Sequence, residues 1–157
     1  QRLGWQKNVP VLVLNDDIVL PPWAPTTMVD VLADSNEWSL LGFDYRAPEG
    51  HQNMVSPLAT PTPTKGTWRH GGLGGFAFGA APRRCTRVDE RFKWWGGDDD
   101  LVFSTAARGG KVGVLVGCPV LHPQPSLTAN SSGDLLPDGW DVDDNALLHS
   151  KWGAGWY

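Results

Sequence analysis

The chain has 157 residues, 41 % of them apolar and 19 % charged, with a formal net charge of −4. That length supports one domain with its own core, and the acidic balance leaves no basic stripe for a nucleic-acid backbone. The longest apolar runs, such as Val9–Asn15 (VPVLVLN), are too short to span a bilayer. Nineteen glycines and thirteen prolines predict many loops, and nine tryptophans are more than usual and suit a surface that stacks sugar rings. Cys85 and Cys118 have no metal or redox spacing and read as isolated thiols of a reducing compartment. Gln1-Arg2-Leu3 leads into mixed sequence with no signal peptide, while the missing initial Met leaves an upstream segment open.

In chain order, Asn8–Asn15 is a continuous β-branched run and reads as a buried strand of a parallel sheet. It ends in Asn15-Asp16-Asp17. Thr26–Ala33 has helical spacing, and Ser39–Arg46 is a second short strand. Ala47–Gly72 is rich in Pro, Thr and Gly without a period, and reads as a loop or mobile flap. Gly74–Pro82 is a third strand, followed by one or two helical turns over Pro82–Val88. Leu101–Gly110 reads as an amphipathic helix closed by glycine. Lys111–His122 is a fourth strand ending in histidine, Leu127–Trp140 a loop, and Asp143–Trp152 a last helix. No internal repeat is visible, and the alternation of strands with helices predicts an α/β domain.

Three stretches carry candidate chemistry. Asn15-Asp16-Asp17 sits just past a strand, where α/β sheets bind ligands. Two carboxylates there suit a divalent cation on a diphosphate, or an Asx turn or helix cap. Trp94-Trp95-Gly96-Gly97-Asp98-Asp99-Asp100-Leu101 puts indoles beside three acids. The acids read as a solvated turn that caps the next helix, Asp100 above all. Equally, a carboxylate against an aromatic wall, with Gly96 and Gly97 letting the backbone come close, serves as a general base. His122 is a structural histidine unless it meets Asp17, in which case carboxylate and imidazole suit Mn²⁺.

Taken together, the order of these segments resembles the inverting, family-2-like glycosyltransferases of the GT-A fold. Val11–Leu32 resembles their strand, acidic metal motif and helix. Gly74–His122 resembles their acceptor-side half, including Asp89-Glu90-Arg91-Phe92 and the glycine-rich acidic motif, and His149–Gly153 (HSKWG) is similar to a closing segment. The resemblance implies a Rossmann-like GT-A fold with a mostly parallel central sheet flanked by helices. It would be one domain over 1–157: residues 1–46 a remnant of the nucleotide- and metal-binding half, 47–72 the flap, and 73–157 the acceptor-side half.

The same resemblance implies the roles. Asp17 and His122 would hold Mn²⁺ or Mg²⁺, and Asp16 would contact the ribose or the metal. Gly74, Gly75 and Phe76 would line the donor sugar, Trp94 and Trp95 would stack on donor or acceptor, and Gly97 would leave room for substrate. Asp98 or Asp99 would be the base; the family has Glu-Asp where this chain has Gly97-Asp98. A hexose would pass with inversion from a nucleoside-diphosphate sugar to a glycan, lipid-linked or protein acceptor. No nucleic acid or transmembrane segment is involved, and the location would be cytoplasmic, soluble or peripheral at a membrane. Only 14 residues precede Asn15, so the resemblance implies an amino-terminal truncation that removes most of the nucleotide-binding part. A non-catalytic glycan-binding or structural module stands as the alternative, and a nucleotidyltransferase-like enzyme as a third reading.

Overall fold

A computed structural model describes residues 8–34, 36–45, 60–63, 72–93, 96–122 and 140–153. The elements are β1 (Val11–Leu14), α1 (Ala24–Asp34), β2 (Trp38–Asp44), β3 (Thr60–Pro63), β4 (Ala77–Ala80), α2 (Gly97–Ala107), β5 (Lys111–Pro119) and α3 (Trp140–Trp152). The strands form one sheet in the order β1-β4-β2-β5-β3. Among the described residues no helix is long and apolar enough to cross a membrane.

The expected mostly parallel, Rossmann-like GT-A sheet does not hold. Of the four strand pairings among the described residues only β2 with β5 is parallel; β1 with β4, β4 with β2, and β3 with β5 are antiparallel. The physical reason lies in how β3 and β4 enter the sheet. β1, β2 and β5 all run the same way, but only β1 and β2 are joined through a helical crossover, α1, whereas α2 joins β4 to β5 with the two strands opposed. β4 slots between β1 and β2 in the opposite sense, and β3 caps the far edge. Strand alternation along the chain therefore predicts neither the direction of β4 nor its place between β1 and β2. β1 is also an edge strand with only partly buried side chains, not a buried parallel strand.

Two further expectations change. Residues 60–63 of the expected flap are β3, paired with β5 through Thr60↔Val116 to Pro63↔Gly113. Its sequence, Thr-Pro-Thr-Pro, suits an edge, because proline has no N–H to give a second neighbour. The rest of Ala47–Gly72, apart from Gly72, and the expected loop before Trp140 lie outside the described residues. Pro82–Val88 forms no helix; Ala81 O accepts from the N–H groups of Arg84 and Cys85 in a single turn.

Side chains alternate across the sheet and build a core on each face. Ala77, Leu41, Phe43 and Leu115 pack under Met28 and Leu32 of α1, and Gly79 lets α1 close in: a Cβ there would lie 2.6 Å from Leu32. Phe78, Ala80, Leu40 and Val112 face Leu101 and Val102 of α2. Met28 and Leu32 are 0 % and 1 % exposed, so truncating either to Ala costs about 2–5 kcal/mol. The two cores hold the carboxyl ends of β1, β2 and β5, and the amino end of β4, at one end of the sheet.

Candidate functional site

At that end the chain leaves β1 through Asn15, Asp16 and Asp17. Asn15 N–H donates to Phe76 O at 2.8 Å, tying the turn to the entry of β4. Val19 and Leu121 then form an isolated antiparallel bridge, with N–H to O distances of 2.8 and 3.0 Å. The bridge pins the segment after β1 to the segment after β5. A bulge prepares that second segment: Gly117 has φ 83° and its N–H donates to Asp44 Oδ2 at 2.9 Å. Glycine is favoured there because other side chains strain at positive φ.

The bridge brings together Asp17 and His122, 105 positions apart, with His122 Nε2 donating to Asp17 Oδ2 at 2.9 Å. The Phe76 ring stacks on the His122 ring, centroids 4.8 Å apart and planes at 17°, and Tyr45 meets Phe76 edge-on at 6.1 Å. The His122 side chain is 13 % exposed and that of Asp17 34 %, so the pair is sheltered but reachable. Asp16 is exposed. Asp17 Oδ1 is buried without a hydrogen-bond partner, as is Trp23 Nε1, next to the start of α1 at the same end of the sheet. Such an atom costs about 1–3 kcal/mol and calls for a reason; a bound ligand supplies one.

Asp98 reaches the same end from α2. Its carboxylate lies against Gly75, where any side chain would overlap it. Gly74 in turn makes room for the Phe76 ring, which a Cβ would meet at 2.6 Å. Gly74, Gly75 and Phe76 therefore link Asp98 on one side to His122 and Asp17 on the other. Burial pushes the Asp98 carboxyl above the ordinary aspartate range, and the N–H groups of Asp98 and Asp99 offset this only in part. The helix dipole favours its charged form, yet burial dominates and raises its basicity. Asp99 is partly buried, and Asp98 rather than Asp99 abuts Gly75. Gly97 opens α2; a Cβ there would meet Phe92 and Val88 at ordinary contact distance, so space alone does not demand glycine.

Asp100 is no cap. The N-cap is Gly96, with φ 72° and no side-chain cap bond. Asp100 is 1 % exposed and points the other way, into α3, where its Oδ1 accepts from Lys151 Nζ at 2.6 Å and Trp152 Nε1 at 2.9 Å. Lys151 also donates to Asp89 at 2.8 Å. Asp89 is held well below the ordinary range by Arg91 first and Lys151 second. A cavity of about 630 Å³ opens beside this cluster, lined by Thr86, Asp89, Asp100, Ser104 and Lys151 among others, and not by Asp17, Asp98 or His122. Sequence reasoning missed Lys151 and Trp152 as partners of the acidic run. HSKW carries the signal, a cation and an indole donor in a last helical turn, but nothing local says which acid they meet.

Trp94 and Trp95 lie outside the described residues. Among the described residues no group of three or more His, Cys, Asp or Glu is placed to hold a metal ion; Asp17 and His122 are a pair. Cys85 and Cys118 are free thiols that burial pushes up to about 11 and about 12, which makes them poor nucleophiles. Comparison with protein-family models, curated proteins and solved structures finds no match to this chain.

Proposed function

We propose that this chain is a metal-dependent glycosyltransferase, moving a hexose from a nucleoside-diphosphate sugar to an acceptor hydroxyl with inversion. One observation carries the reading: a carboxylate–imidazole pair with an unpartnered buried oxygen and a second, raised carboxyl meet across one glycine-rich segment at the carboxyl end of three strands. Asp17 and His122 fit Mn²⁺ or Mg²⁺ by donor type, and two protein ligands leave room for diphosphate oxygens and water. When bound, the cation would neutralise charge on the departing diphosphate.

The chain's own residues do the rest. Asp98 takes the acceptor hydroxyl's proton, its raised basicity suiting a general base near neutral pH. Gly75 leaves the space that the Asp98 carboxylate occupies. Phe76, fixed by Tyr45 and His122, walls the sugar subsite. Asp16, exposed beside the pair, contacts the ribose. Attack opposite the leaving group inverts the anomeric centre. The acceptor is a glycan, lipid-linked saccharide or protein, met in the cytoplasm or at a membrane surface.

The test is a Mn²⁺ titration by EPR, with and without UDP, GDP or dTDP, on the wild type and Asp17→Asn. One nucleotide should tighten binding and the substitution should abolish it. No Mn²⁺ binding under any condition would remove the reading and leave the non-catalytic glycan-binding module.

A further inference from the structure

The start of α2 has no side-chain cap, so its first turn is held from elsewhere. α3 does the holding at four points. Asp144, 1 % exposed, accepts the Lys93 N–H with both oxygens at 3.0 and 3.1 Å, just before the turn. Leu148 crowds Gly96, so that a Cβ there would sit 3.1 Å from it. Lys151 and Trp152 grip Asp100 within the turn, and the Trp152 ring tilts onto Phe103 at 5.7 Å. Asp98 and Asp100 are two residues apart, so their side chains leave nearly opposite sides of the helix. A shift of Asp100 therefore swings Asp98 across Gly75.

We infer that α3 is the positioning element of the site: Lys151 and Trp152, by fixing Asp100, set where the Asp98 carboxylate lies over Gly75. The inference rests on the proposed reading for its catalytic consequence, but the coupling itself has a separate readout. Gly75 belongs to neither α2 nor α3, so its amide resonance reports the Asp98 carboxylate. ¹H–¹⁵N spectra are recorded for the wild type, Lys151→Ala, Lys151→Arg and the surface control Asp143→Asn, which disturbs an exposed contact to Lys93.

Lys151→Ala should move the Gly75 and Asp98 amides, Lys151→Arg should restore them, and Asp143→Asn should leave them in place. In the transfer assay Lys151→Ala should lower kcat by about 10–100-fold with donor KM unchanged, the signature of a misplaced group. If Lys151→Ala does not fold, Trp152→Phe removes a single hydrogen bond, keeps a ring beside Phe103, and should move the same amides. A folded variant whose Gly75 and Asp98 resonances coincide with the wild type overturns the inference. A wild type that transfers no sugar removes the reading of the site, and the resonances then decide the coupling alone.

Discussion

Asp98 and Asp100 stand two residues apart in one helical turn and live in opposite circumstances. Asp100 is committed to the fold: a lysine and an indole both donate to its Oδ1, and it is buried. Asp98 faces a glycine, and burial raises its basicity. The same contrast separates Asp17, which keeps one buried oxygen unpartnered, from Asp144, which spends both on one N–H. An acid that serves the fold has its valences filled by the fold. An acid with capacity left over, at the carboxyl end of the strands, is the one available to a ligand.

That contrast can be broken by substitution. The largest effect is expected for Asp98→Asn in the transfer assay, where loss of a general base lowers kcat by about 10²–10⁴-fold; Asp99→Asn should leave most of the rate. If the two variants exchange these results, Asp99 is the base. Next comes stability. Asp100→Ala should cost about 2–4 kcal/mol by urea denaturation, because it leaves Lys151 and Trp152 without their buried acceptor. The figure stays below that of a fully enclosed pair, since Lys151 is 24 % exposed and keeps Asp89. A cost near zero would make Asp100 as dispensable as a surface acid.

The smallest effect has the opposite sign. Asp98 is raised by burial, so its folded form favours the neutral acid. Its ionisation weakens the fold as pH climbs through the raised value, and below the ordinary aspartate range the penalty vanishes. Asp98→Asn mimics the neutral acid. It should melt above the wild type at neutral pH and together with it in acid, as thermal scans across pH will read. A variant less stable than the wild type at neutral pH would place Asp98 with Asp100, among the acids that hold the fold.

Much of the local structure was legible in the residues. The apolar runs at Val11–Leu14, Trp38–Asp44, Ala77–Ala80 and Lys111–Pro119 are strands, and the periodic stretches around Met28, Val102 and Leu148 are helices. The boundaries moved where capping and bulges intervene: α2 begins at Gly97 rather than Leu101 because the aspartates themselves enter the first turn. β5 ends at Pro119, past a bulge at Gly117 that a glycine permits but does not announce. β3 was not legible, because an edge strand of alternating threonine and proline has neither apolar period nor burial.

What the sequence determined by itself is the inventory: which segments bury a face, which residues can carry charge or bind a cation, and that Asp17, His122 and the acidic run lie at strand and helix ends. Those are properties of neighbours along the chain. The tertiary structure alone decided that β4 runs antiparallel between β1 and β2, that a single bridge from Val19 to Leu121 delivers His122 to Asp17, and that Asp98 turns to Gly75 while Asp100 turns to Lys151. The physical reason is common to all three. Pairing between segments tens of residues apart is chosen by the whole core's packing, and no local periodicity encodes which distant partner a strand or a carboxylate will meet.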